Sequence, residues 1–216
     1  YNSRQIFALG TFVQACIYSQ KFLSAWYDDE WVESIRLYLS TCIERLADHS
    51  STLATWYLPG ENVKHTFVRY ALGITWDFAE ANPLFDGGGS WNSAVINCSA
   101  SIDHALIATS CSPKPSVILS SAIKVSEHSK FDVIITDPPY YDAIPYSDLM
   151  DYFYVWLKRS TIGINVVEDA FRNQNASPKW DNEANDGELI DDETRHGGDS
   201  QLSKRKYEDG MYRAFI

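Results

Sequence analysis

Asp137, Pro138, Pro139 and Tyr140 close an apolar run, Phe131-Asp132-Val133-Ile134-Ile135-Thr136, and their types in this order suit one task, holding an exocyclic amino group. The amino nitrogen of adenine or cytosine shares its lone pair with the ring and attacks a sulfonium methyl group poorly. The Asp137 carboxylate and the Pro138 carbonyl can accept its two N–H hydrogens and draw it toward a tetrahedral shape, which frees the lone pair. Catalysis of this kind is positioning plus hydrogen bonding. The two prolines fix the turn, since each sets φ near −65° and restricts the residue before it. Tyr140 offers an aromatic face on which a base taken out of its duplex can stack. Asp137, Pro138, Pro139 and Tyr140 are therefore the expected catalytic residues. Tyr140, Tyr141, Asp142 and Tyr146 are the expected substrate contacts, on a loop where binding residues concentrate; Tyr141 and Tyr146 suit a base-pocket wall or a structural role equally.

Such a turn needs a rigid base. Val133, Ile134 and Ile135 form the continuous apolar run expected of a strand buried on both faces of a parallel sheet, with Asp137 at its carboxyl end, where α/β sheets bind ligands. A helical pattern at Trp91, Ala94, Val95, Cys98, Ile102, Ala105 and Leu106 precedes a shorter apolar run, Val117-Ile118-Leu119. The alternation predicts an α/β fold, part of a Rossmann-like methyltransferase sheet with an N-terminal helical region. After Pro145, the residues Leu149, Tyr152, Phe153, Trp156 and Leu157 mark an apolar helix face from about Ser147.

Upstream, Ile6, Leu9, Val13, Cys16 and Ile17 recur at helical spacing. Trp31, Ile35, Tyr38, Cys42, Ile43 and Leu46 do so again after Asp28-Asp29-Glu30, an acidic start suited to a helix N-terminus. These two helices are expected to pack as a hairpin. A third helix is expected around Val68 to Ala79, with Trp76 filling the core and Asp77 and Glu80 capping or facing water, the alternative being Asp77 at the rim of the active site. The expected division is a helical region over 1–62 and part of a catalytic domain over 63–216, with a flexible acidic loop over 173–200 inside it.

The stretch from Thr136 to Arg159 resembles a family of large prokaryotic adenine-specific DNA methylases, often encoded near phage-defence genes. Thr75-Trp76-Asp77-Phe78-Ala79-Glu80-Ala81-Asn82-Pro83 resembles a block of that family upstream of the turn, and Arg195-His196-Gly197-Gly198 with Tyr207 to Phe215 resembles one downstream. The resemblance implies S-adenosylmethionine as methyl donor and DNA adenine as acceptor, with defence-system proteins as further partners. It departs at the family's Asp-Pro-Phe-x-Gly-Gly-Gly segment, which is absent. Phe85-Asp86-Gly87-Gly88-Gly89-Ser90 follows Ala81-Asn82-Pro83 rather than an apolar strand and reads as a flexible loop. The strand expected before the catalytic one ends in Ser120-Ser121-Ala122 where an acid is often found. Asp137 and Ser121 are left as the candidate cofactor contacts. Turns of this type also serve RNA-base and protein-glutamine methylases, and a degenerate, non-catalytic module of a defence complex is the alternative from another class.

The chain carries a net charge of −11, unusual for a DNA enzyme because duplex binding rests on Lys and Arg neutralising phosphates. Much of the acid lies between Asp181 and Glu193, and Lys204-Arg205-Lys206 reads either as a phosphate contact or as a solvated face. Cys16, Cys42, Cys98 and Cys111 are widely separated, so reduced thiols and no metal are expected. No apolar run approaches the ~20 residues of a membrane span and no leader is evident, so a cytoplasmic protein is expected. The chain begins at Tyr1 and stops at Ile216 within apparent helices, which reads as an internal piece of a longer protein.

Overall fold

The computed structural model describes residues 1–68, 72–118, 120–124, 131–141, 144–167 and 179–215. The chain forms two compact units, Tyr1–Pro113 with Leu149–Ala176, and Lys114–Asp148 with Ser177–Ile216.

The first unit is built on a helical hairpin. Helix α1 (Ser3–Leu23) starts at Asn2, whose side chain accepts from the Gln5 amide while the Gln5 side chain accepts from the Asn2 amide, a reciprocal cap that satisfies two otherwise unpaired donors. Helix α2 (Asp29–His49) starts at Asp28, which accepts from the Trp31 amide. Leu9, Val13 and Cys16 of α1 meet Ile43, Leu46 and Ala47 of α2, and Trp156 joins them from helix α4 (Tyr146–Ser160). Leu9, Ile43 and Leu46 are fully buried, each contributing roughly 1.5–3 kcal/mol. Helix α3 (Trp91–Thr109), capped by Ser90, packs against α2.

The expected Rossmann-like sheet is not formed among the described residues. Among the described residues the only sheet is the antiparallel pair β1 (Trp56–Tyr57) and β2 (Asn62–Val63), with Trp56 opposite Val63. Among the described residues Phe131 to Thr136 is irregular, with a bend at Asp132 and no ladder partner, and Val133, Ile134 and Ile135 are 72%, 76% and 91% exposed. Val117 and Ile118 are likewise exposed and unpaired among the described residues, and Leu119 lies outside them. A continuous apolar run becomes a buried strand only where neighbouring strands satisfy its backbone and helices cover both faces. Among the described residues these segments have neither.

The expected helix over Val68 to Ala79 is also absent in the described part of that range: Leu72 to Glu80 is irregular and Trp76 is fully exposed. Two side-chain anchors replace the helical ladder, with Thr75 Oγ1 donating to the Thr52 carbonyl at 3.0 Å and Glu80 pairing with Arg4 at 2.7 Å. The predicted helices at α1, α2, α3 and α4 are all present.

In the second unit, helix α5 (Ser200–Phe215) packs against two short 3-10 turns, Ala122–Lys124 and Glu193–His196. Gly197 ends the latter in the left-handed region at φ 67°, a conformation that costs glycine nothing. No helix among the described residues is long and apolar enough to cross a membrane.

Candidate functional site

Asp137 and Pro138 lie exposed at the end of the irregular 131–136 segment, and Tyr140 is 65% exposed. The turn behind them is held by two tethers from the second unit's own elements. The Tyr207 hydroxyl of α5 donates to the Pro139 carbonyl at 2.8 Å, and the Asp191 amide donates to the Tyr141 carbonyl at 2.8 Å. Tyr141 packs edge-on against Tyr207 with centroids 4.8 Å apart, and Lys204 Nζ stands 5.7 Å from the Tyr141 ring. The tethers grip the backbone on one side of the turn and leave the Asp137 carboxylate and the Tyr140 ring toward solvent. Asp142 lies outside the described residues.

Tyr146 opens α4 and is 46% exposed. The next residue carries the second anchor. Ser147 donates its amide to Glu188 Oε1 at 2.8 Å and its hydroxyl to Glu188 Oε2 at 2.5 Å, so a carboxylate meets the unpaired donors and positive pole of the helix start. Arg195 closes the network at 2.6 Å from Glu188 and 3.2 Å from Asp148. Burial acts to raise the Asp148 pKa, but the Lys179 hydrogen bond and the charges of Arg195 and Lys179 outweigh it and hold the carboxyl below its ordinary range. Asp186 follows the same pattern, with Lys124 at 2.8 Å as its main stabilising partner.

The structure thus brings Tyr141 against Tyr207 and Lys204, and ties Pro139 to α5. The Ser121 hydroxyl donates to Asp186 at 2.8 Å, and no contact among the described residues joins it to the turn. The glycine segment Gly87-Gly88-Gly89 lines a cavity of the first unit instead, through Gly88 and Gly89. Of the residues assigned to S-adenosylmethionine, the Ser121 hydroxyl is committed to a carboxylate and Asp137 is exposed.

Reading the sequence did not find Glu188, Asp191 and Tyr207 as supports. Their partners are 41, 50 and 68 positions away, and the one available signal was that Arg195-His196-Gly197-Gly198 and Tyr207 fall in the block resembling the methylase family. Compared with protein families, with curated proteins and with solved structures, the chain gives no match.

Proposed function

We propose that the turn Asp137–Tyr140 holds the exocyclic amino group of a nucleobase, adenine by preference, as the substrate-binding element of a cytoplasmic DNA amino-methyltransferase. The observation that carries this reading is the disposition of the turn, with its backbone held by Tyr207 and Asp191 while Asp137 and Tyr140 remain free to meet a base. Asp137 accepts one amino hydrogen and the Pro138 carbonyl the other, and Tyr140 supplies the stacking face. Lys204, beside Tyr141, supplies local positive charge for a phosphate in a chain that is acidic overall. S-adenosylmethionine is the methyl donor in reactions of this class.

The commitment of Ser121 to Asp186 favours a second reading, a module of a defence complex that keeps the amine-holding turn without transferring methyl. Both readings require the turn to recognise an amine. The test is the affinity of the chain for a short single-stranded oligonucleotide bearing one adenine, against the same strand bearing purine there. A charge-assisted hydrogen bond contributes about 1.5 kcal/mol, so adenine should bind about tenfold tighter. The preference should fall severalfold in Asp137→Ala, which leaves only the Pro138 carbonyl to meet the amine; equal binding of adenine and purine by the unaltered chain would overturn the proposal.

A further inference from the structure

We propose that His49, His65 and Asp48 form a binding site for a divalent cation of the zinc class, set in the wall of a cavity in the first unit. One ligand atom from each of the three lies within 4.8 Å of the other two. The cavity, of about 530 Å³, is lined by these residues together with Arg45, Lys64 and Gly89. The site is independent of the Asp137 turn.

The donors are prepared for a metal. His49 ends α2 with only 5% of its surface exposed, and its Nδ1 lies 2.9 Å from the Arg45 carbonyl. A carbonyl only accepts, so Nδ1 carries the proton and Nε2 presents a lone pair. A backbone carbonyl on the other ring nitrogen is the usual support of a metal-binding histidine. His65 reaches the same place from beyond β2, with its ring centroid 4.3 Å from that of His49 and its Nδ1 2.6 Å from Asp48 Oδ2. Asp48 is itself fixed, since its other carboxylate oxygen accepts from the Thr66 amide at 3.1 Å. Thr66 is braced in turn, its hydroxyl 2.6 Å from the Asp48 carbonyl and 2.7 Å from the Ser51 hydroxyl.

Zinc–nitrogen and zinc–oxygen bonds of ~2.1 Å in a tetrahedron put ligand atoms roughly 3.4 Å apart, so the three groups need adjustments on the order of 1 Å. Two imidazoles and one carboxylate match zinc, nickel or copper better than magnesium or calcium, which take oxygen ligands. The cavity leaves the fourth position open. Arg45 and Lys64 flank it, which suits water or a small anion there. Gly89 approaches closely enough that an added Cβ would stand 3.1 Å from the His49 Cβ, at a φ of 84°, so the glycine lets the loop close over the histidine.

The test uses the untagged chain, titrated with zinc alone by calorimetry and with cobalt(II) by visible absorption. One equivalent should bind, with the intense bands of tetrahedral cobalt. His65→Ala changes an exposed ring, so the fold should persist by circular dichroism while zinc affinity falls at least 100-fold. His104→Ala, which removes an exposed histidine elsewhere, should bind as the unaltered chain does. No stoichiometric zinc binding, equal affinity in His65→Ala, or equal loss in His104→Ala would each overturn the site.

Discussion

Replacing Ile134 and Ile135 together by lysine distinguishes an exposed, irregular segment from a sheet strand. In a strand the two side chains would point to opposite faces, so the pair samples both. Ile134 is 76% and Ile135 is 91% exposed. Full burial of an isoleucine contributes roughly 1.5–3 kcal/mol, so the quarter and tenth still covered contribute together about 0.5–1 kcal/mol. The lysines stay in water and add no charge-burial cost. The double variant should therefore lose no more than about 1 kcal/mol. In a strand covered on both faces the same change would remove two buried side chains and bury two ammonium groups, costing roughly 5 kcal/mol or more. Urea unfolding followed by circular dichroism reads the difference, with fluorescence of the seven tryptophans as a second probe. A loss above about 3 kcal/mol would refute the exposed placement of this segment.

Three further outcomes follow from particular contacts. Burial pushes the Glu44 carboxyl from 4.5 up to about 7, so the folded state holds its proton more tightly than the unfolded chain and stability falls as pH rises from about 4.5 to 7. Glu44→Gln should remove that fall, and its advantage should grow between pH 5.5 and 8 by about 2 kcal/mol as a ceiling and on the order of 1 kcal/mol after solvent screening, read by urea unfolding at the two pH values. Arg36 is fully buried, donating to Gln20 at 2.9 Å and to the Ile162 carbonyl at 2.7 Å while its Nε has no partner among the described residues. Arg36→Ala should cost roughly 3 kcal/mol or more through a cavity and orphaned acceptors, and Arg36→Met, which keeps the volume, should recover at least about 1 kcal/mol of it in the same assay. Tyr207→Phe removes the donor to the Pro139 carbonyl and keeps the ring against Tyr141, so it should lower the adenine-over-purine preference about threefold while changing stability by about 1 kcal/mol.

The helices were legible where local pattern suffices. Leu9, Val13 and Cys16 repeat at helical spacing, and Asp28 stands where a cap belongs, so α1 and α2 follow from neighbours a few residues apart. Val133 to Ile135 were misread because apolar character says that a segment can be buried, whereas burial depends on partner strands that those residues do not encode. Trp76 failed similarly: an aromatic at helical spacing suggests a core position, yet its stretch is held by Thr75 and Glu80 through contacts to Thr52 and Arg4. At the candidate site the turn itself was readable as a motif, and its supports were not. Glu188 meets Ser147 from 41 positions away, and His65 meets Asp48 across 17, with no short spacing to mark either pair.

The claim that Asp137 holds an exocyclic amine is tested most directly by nuclear magnetic resonance of an oligonucleotide whose single adenine carries ¹⁵N at N6. On binding the unaltered chain, both amino protons should move downfield as Asp137 and the Pro138 carbonyl accept them. With Asp137→Ala, one of the two shifts should be lost while the strand still binds through its phosphates. Amino resonances that stay at their free positions on the bound strand, or that shift equally with Asp137→Ala, would contradict it.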